Sequence, residues 1–513
     1  MKNTIAVNLF IFALSLYLIT ASTDQIRSMD QSALRYEVTA SIVEKHGLAV
    51  ADGKGVRGKD GRYYSYYGLG WSVLALPFYA FGKLIGGSSE KYVYIMHLLA
   101  GAITVSVVFL FCVSLGYSNR SSLLAAVFYG FGSMAWPLAK QPFDHVGETL
   151  FILLSVYSLY LYTVQYRIKF IILSAVFFGI SLNIRLTSIL VGPSLLLIAI
   201  GAGMKERSLR NSKSKLFHHM VIFMVVLIPF IVAILWYNSY RFGSMYETGF
   251  QLIADKTGLD FFSGTQLLTG LQGLLLSPGK GIFYYSPVAL LFFPAIIPFY
   301  NRHRILAASF VTVSISYLLF MSKNIYWHGD WAWGPRYLLA ILPFLIIPAV
   351  ALLEKHNNGS KPFLWKTTIY GIFVVGFVIQ VAAVSVNYYN YFLNLQVEKK
   401  VSFNVIQGIG VPDIIEPPPE VHFNWSMSPI MAQFQFLKDI SHRIKDYENI
   451  KVPADAPLSE RIKSYPQINI YDFWWAYLYY VYGVRTGFFI VAALCGVCAI
   501  SGYRMVRITC RRL

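Results

Sequence analysis

The sequence predicts an all-α polytopic membrane protein of about twelve transmembrane helices, and three observations carry that prediction. Of its 513 residues, 56% are hydrophobic and only 13% charged, with a mean hydropathy of +0.53, so the chain is built for a lipid solvent. Twelve apolar runs are long enough to cross as helices, at approximately 4–21, 92–116, 122–138, 146–165, 168–184, 187–204, 219–237, 281–300, 305–322, 337–353, 367–388 and 484–503. Basic residues also gather in alternate connecting segments, as the positive-inside rule requires.

The first run is long for the apolar part of a signal peptide and no clear small-x-small cleavage pattern follows it, so it reads as an anchor. The next segment, 22–91, opens with SMDQSALRYEV (28–38) and contains GWSVLALPFYAFGKLIGG (70–87). That second stretch is ambiguous, being short, glycine-bounded and interrupted by Pro77 and Lys83. Charge parity decides it. If 70–87 does not span and the N-terminus lies inside, the cytoplasmic side receives Lys2, Arg120, Arg167, Lys169, residues 205–215, Arg302, Arg304, residues 354–366 and the tail from Arg504. Those segments hold 18 lysines and arginines against two acids, Glu206 and Glu354, leaving 16 of the formal +18 on one face. The other face carries 25 basic and 23 acidic residues. Counting 70–87 as a span would invert every later loop, so it is predicted to be a helix in the outer interface. The basic charge is topogenic and says nothing about nucleic acid.

Every long polar segment then falls outside: 22–91, 238–280, 323–336 and about 389–483. Chemistry on a cytoplasmic nucleotide would call for the reverse, and no phosphate-loop or dinucleotide motif occurs in a strand-to-helix context. In the last outer segment, the proline run of PDIIEPPPEVHF (412–423) favours extended structure over helix. MAQFQFLKDISHRI fits an amphipathic helix, and YDFWWAYLYYVYG (471–483) an aromatic interfacial stretch leading into the final span. The organisation predicted is a transmembrane catalytic module over 1–388, a small mixed outer cap over 389–483, and a last helix with a basic tail over 484–513. No internal repeat is visible. Cys112, Cys495 and Cys498 fall in predicted spans and Cys510 in the tail; the CxxC at 495–498 reads as small-residue helix packing rather than a zinc or redox motif.

Ionisable groups at the ends of spans are costly unless paired or facing a cavity, so each is a candidate. The first outer loop supplies Asp24, Asp30, Arg35, Tyr36, Lys59, Asp60, Arg62 and the tyrosines Tyr63 and Tyr64. WPLAKQPFDHVGE supplies Lys140, Asp144, His145 and Glu148; Arg185, Arg241, Glu247 and Lys280 follow, and WHGDWAWGPRY adds His328, Asp330, Trp331 and Arg336. Acids can deprotonate an attacking hydroxyl, arginine and lysine can hold a phosphate leaving group, and aromatic faces suit a sugar ring. Structural explanations stand beside these. Asp144 directly precedes a helix and fits an N-cap, Asp24 a solvated juxtamembrane acid, and Asp60 in KDGRY a turn former. His145 and His328 are lone histidines beside aromatics, SPGKG (277–281) matches a phosphate loop in composition only, and Arg336 suits an interfacial position.

The series RYEVTASIVEKHGLAV, GKDGRYYSYYGLGWSVLALPFYAFG, FGSMAWPLAKQPFDH, WYNSYRFGSMYETGF, GLLLSPGKGIFYYSPV and WAWGPRYLLAILPF resembles the bacterial GT-C integral-membrane glycosyltransferases, the superfamily of protein O-mannosyltransferases and aminoarabinose transferases. The resemblance covers roughly residues 1–390. It implies a polyprenyl-phosphate-linked sugar donor, inverting transfer to a hydroxyl acceptor in the cell envelope, and a site facing the periplasm or exterior of a bacterial inner membrane. It also implies interfacial helices in the first loop and a first-loop aspartate as general base, here Asp30 or Asp24, with Asp30 favoured because RYxxT follows it. Asp144 and His145 fall where relatives carry an acid after the third span. Arg62, Arg185, Lys280 and Arg336 fall to the donor phosphate or lipid, and Tyr63, Tyr64, His145 and Trp331 to the sugar or acceptor. Relatives often show an adjacent Asp-Glu pair where this chain has two separated aspartates. Some bind a divalent metal nearby; no dense ligand cluster is visible here, and no cofactor is otherwise implied. A flippase of lipid-linked saccharides is the alternative from another class, but mid-membrane charges and broken helices would be expected of it. A glycan polymerase or ligase shares the donor class.

Overall fold

The computed structural model describes residues 2–22, 30–210, 216–258, 260–262, 265–329, 331–357, 363–406, 414–443 and 471–510. Helix α1 (Lys2–Ile19) is followed by the first loop, which holds α2 (Asp30–Lys45), a two-stranded antiparallel ribbon of β1 (Val56–Arg57) and β2 (Tyr63–Tyr64), then α3 (Gly70–Leu74) and α4 (Leu76–Leu84). Val56 pairs with Tyr64 and Arg57 with Tyr63. The ambiguous stretch at 70–87 is therefore two helices of 5 and 9 residues, with Pro77 seated in the first turn of the second. Even end to end they reach roughly 22 Å, less than the roughly 30 Å of a hydrocarbon core.

The bundle continues with α5 (Ser89–Ser114), α6 (Asn119–Phe131), α7 (Ala135–Lys140), α8 (His145–Gln165), α9 (Ile168–Ile184), α10 (Gly192–Arg210) and α11 (Leu216–Phe242). After α12 (Phe250–Thr257) and α13 (Leu267–Leu276) come α14 (Ile282–Tyr285), α15 (Phe292–Arg302), α16 (Arg304–Lys323), α17 (Leu342–Ile346), α18 (Ala349–Asn357) and α19 (Phe363–Ser385). Short 3₁₀ turns at Leu186–Val191, Pro287–Leu291 and Arg336–Ile341 lead into α10, α15 and α17.

The chain is an all-α polytopic membrane protein. Among the described residues, nine helical stretches are long and apolar enough to cross a membrane. All twelve predicted runs are helical, but three fall short of that measure. Run 168–184 makes a helix of 17 residues. Run 122–138 breaks between α6 and α7, where a side chain on Gly132 would meet the carbonyl of Phe128 and the rings of Phe373. Run 281–300 breaks at Ser286, whose backbone leaves the helical region ahead of Pro287, a residue with no N–H to continue the ladder.

The cap contains α20 (Tyr389–Val397), a ribbon of β3 (Asn404–Ile406) and β4 (Ile414–Glu416), α21 (Pro429–Arg443) and α22 (Trp474–Tyr482), ahead of α23 (Thr486–Cys510). The expectation of extended backbone across the proline run needs correcting. Pro418 is extended, but Pro419 starts a 3₁₀ turn to Phe423, because proline fits the first helical position, where its missing N–H costs nothing.

The apolar core runs through the bundle, with α1 packed between α5 and α23 and α8 between α5 and α9. One polar junction fastens its two ends. Lys140 Nζ lies 2.9 Å from Asp472 Oδ2 and donates to the carbonyl of Val384 at 2.6 Å, while Ser22 donates to Asp472 Oδ1 at 2.5 Å. The indoles of Trp474 and Trp475 donate to the carbonyls of Leu18 and Ile19 at the end of α1.

Candidate active site

The site is built where α8 begins and α9 ends. Asp144 precedes α8 in a helical conformation and makes no side-chain capping bond, so N-capping does not account for it. Its wholly buried carboxylate instead receives Arg35 Nη2 from α2 at 2.5 Å and Arg185 Nη1 at 3.2 Å. Arg185 stands in extended backbone just past α9 and also reaches Glu148, with Nε 3.3 Å from Oε2. Asp144 and Glu148 are four residues apart, the spacing that stacks side chains on one helical face. Glu148 Oε1 accepts from Thr187, Ser188 and Tyr317 at 2.9, 3.2 and 2.9 Å.

Arg336, 1% exposed, completes the centre. Its guanidinium carbon lies 4.4 Å from the Phe143 ring and 5.1 Å from that of Tyr337, whose hydroxyl accepts from Nη2 at 3.4 Å. Gly329 permits this approach: it has φ +68°, and a Cβ there would come within 3.0 Å of Arg336 Cγ. His145 is buried between Phe143 and Tyr337. Its Nδ1 lies 3.3 Å from Asp144 Oδ1 but outside hydrogen-bonding geometry, and neither ring nitrogen has a hydrogen-bond partner among the described residues. Arg35 lies 4.0 Å from the ring of Tyr67. Burial pulls the Arg35 guanidinium below its ordinary range, and Asp144 works against that. Among the described residues, two guanidiniums, Arg35 and Arg185, thus meet the carboxylates of Asp144 and Glu148, and Arg336 lies beside them on Phe143 and Tyr337. A small cleft beside Arg35 is lined among others by Ser32, Tyr36, Thr39, Trp71 and His97.

The other expected residues are distributed around this centre rather than within it. Lys280 is fully buried and donates to the carbonyl of Ala332 at 2.6 Å, holding the WAWG loop. Near it, His328 stacks on His422 from the cap, ring centroids 4.8 Å apart; burial, with His328 and Lys280 adding to it, holds His422 well below the usual histidine range. Trp331 stacks on Phe392 and Tyr389 of α20, so it faces the cap. Arg62 is exposed and pairs with Asp60 at 2.7 Å; Asp60 also accepts from the backbone N–H of Arg62, the expected turn, and from Tyr64. Tyr64 packs on Tyr240 near the end of α11, and Tyr63 is half-buried. Asp30 opens α2, but its side chain lies outside the described residues, as do Asp24 and Asp330 altogether.

Sequence reasoning listed Arg35 and Glu148 without roles and missed Tyr317 and Asp472. Tyr317 sits in an apolar run with nothing local to mark it, and Asp472 is one acid in an aromatic stretch. Among the described residues, no group of three or more His, Cys, Asp and Glu side chains is placed to hold a metal ion.

Residues 73–236 match the family described as dolichyl-phosphate-mannose-protein mannosyltransferase. No curated protein matches the sequence. Among solved structures, the chain is similar to ArnT from Cupriavidus metallidurans bound to undecaprenyl phosphate, at 15% identity and a TM-score of 0.48, over 97% of this chain and 77% of that one. It is also similar to the oligosaccharyltransferase of Archaeoglobus fulgidus in the apo form, at 10% identity and a TM-score of 0.46, over 77% of this chain and 58% of that one. The family match supports the resemblance to GT-C superfamily glycosyltransferases drawn from the sequence.

Proposed function

We propose that this protein is an inverting glycosyltransferase that moves a sugar from a polyprenyl-phosphate carrier to a hydroxyl acceptor at the outer face of a bacterial inner membrane. The observation that carries the reading is the buried centre of three guanidiniums and two carboxylates beside a helix that starts at Asp30. The Arg336 guanidinium lies on aromatic faces beside that centre, and a guanidinium suits an anion such as a departing lipid phosphate. The family match adds a donor class, since the matched description names a dolichyl-phosphate-linked sugar.

In this reading the acceptor oxygen attacks the anomeric carbon as its proton passes to a first-loop carboxylate, Asp30 in preference to Asp24. The bond from that carbon to the phosphate oxygen breaks, the configuration inverts, and polyprenyl phosphate leaves with the electron pair. Arg336, lying on two aromatic rings, meets the phosphate; Arg185 is shared between Asp144 and Glu148 and shapes the field around it. His145, with Tyr337 beside it, faces the sugar. Counting α6–α7, α9 and α14–α15 as crossings gives twelve, the parity that keeps the first loop, the site and the cap outside.

Transfer by the purified protein from labelled polyprenyl-phosphate sugars tests this, comparing wild type with Asp30→Asn and Asp24→Asn. The expected result is loss of at least about 100-fold in kcat for one of the two variants. Full activity in both would remove the general-base assignment.

A further inference from the structure

We propose that Arg35 and Asp144 form a latch that docks α2 against the start of α8 and thereby sets the position of Asp30, so that both are positioning residues rather than proton carriers. The inference rests on the reading of Asp30 as the base and adds how the base is held.

Two contacts on one face of α2 carry it. Arg35 pairs with Asp144, and Ser32 Oγ donates to the carbonyl of Pro142 at 2.5 Å, two residues before Asp144. Ser32 and Arg35 are three residues apart and lie within the two turns that follow Asp30, so fixing them fixes the first turn of the helix. Arg35 is about 7.5 Å along the helix axis from Asp30. Elsewhere α2 packs through Tyr36, Ala40 and Val43 against the main core. Its buried apolar residues Leu34 and Val38 join a small cluster with Val50 and Tyr67 that is separate from the main core. Thr39 bonds the carbonyl of Ser72, and Ser72 bonds the carbonyl of Arg35, which tie α2 to α3 rather than to α8.

Both oxygens of Asp144 are engaged by guanidiniums. One of its oxygens faces Arg35 and Arg185 and the other faces Arg185, and none of the carboxylate is exposed. The same pairing makes Asp144 a firm anchor, because separating a buried pair leaves an uncompensated charge.

The test uses the full chain in detergent or nanodiscs with a polyprenyl-phosphate sugar, and compares Asp144→Asn, Arg35→Met, Arg35→Lys and the double variant Arg35→Met/Asp144→Asn. Each Met or Asn variant is expected to lower kcat by about 100-fold, the scale of an ångström of misplacement. The acid limb of the kcat/KM pH profile should survive in all of them. The double variant should lose no more than the worse single one, because the pair acts as a unit. Arg35→Lys should recover part of the activity. Hydrogen exchange across residues 32–45 should rise in the Met and Asn variants without any substrate present.

Loss of the acid limb in Asp144→Asn would make Asp144 the proton carrier and overturn the latch. So would losses that multiply in the double variant, or unchanged exchange in α2. If Asp144→Asn does not fold, the Arg35 variants carry the same comparison. If wild type transfers no sugar from any polyprenyl phosphate, the glycosyltransferase reading falls while the exchange data still decide whether Arg35 and Asp144 dock α2.

Discussion

Arg185 and Arg336 share the charged centre but have different obligations. Arg185 is divided between two carboxylates, whereas Arg336 rests its guanidinium on two aromatic faces, an arrangement that requires a planar cation. Arg336→Lys keeps the charge and loses the fit, so it should raise the KM for a lipid-phosphate donor about tenfold with little change in kcat. Arg336→Met should cost at least about 100-fold in kcat/KM. Steady-state transfer kinetics distinguish the two. At this scale the sequence singled out most of the charged residues in the centre, because ions near a bilayer are few. It could not pair them. Lys280 donates to the carbonyl of Ala332, a contact no local pattern marks, and Asp144 fitted an N-cap by position although its carboxylate makes no capping bond. Pairing depends on which loops meet in space, and no local pattern encodes that.

Among the elements, α2 is held at both ends by charge. Its C-terminal half is tied to α4 by Glu44, which lies 2.5 Å from Lys83 Nζ and accepts from Tyr79 at 2.6 Å. The hydrogen bond from Lys83, then that from Tyr79, holds the Glu44 carboxyl below its ordinary value. A depressed acid stabilises the fold above its unfolded pKa, and that contribution disappears as pH falls through the folded one. Exchange protection in 40–45 should therefore hold at neutral pH and fall below about pH 4, and Glu44→Gln should remove that acid-dependent step. Helix α13 is constrained in another way. A Cβ on Gly270 would stand 2.0 Å from the carbonyl oxygen of Ser322 in α16. Gly270→Ala should therefore destabilise by about 1–3 kcal/mol, visible as a lowered midpoint in thermal unfolding in detergent. The helices were legible because apolar runs of this length have few alternatives in lipid. Their interruptions were less so: the break in α6–α7 follows from what packs against Gly132, which only the assembled bundle reveals.

For the whole molecule, the charge asymmetry of the loops was enough to reject 70–87 as a crossing, and the two short helices there agree with it. The cap was legible only in outline, since its contacts with the bundle join residues hundreds of positions apart. The junction of Lys140, Asp472 and Ser22 is one of these. Lys140→Met removes the Lys140 partner of the buried Asp472 carboxylate and should cost about 3–5 kcal/mol, whereas Lys140→Met/Asp472→Asn should recover much of the loss. Thermal unfolding of the two variants in the same detergent measures the difference.

That junction also has a timetable. Lys140 and Asp472 are 332 positions apart, and Ser22 and Asp472 are 450. At the roughly 5–20 residues per second of synthesis, the lysine waits on the order of twenty seconds to a minute for its carboxylate to be made. Until then an ammonium destined for burial has no acid to meet. A chain that has not reached Asp472 is thus marked by a charge whose carboxylate is still to be made, and synthesis through that residue supplies it.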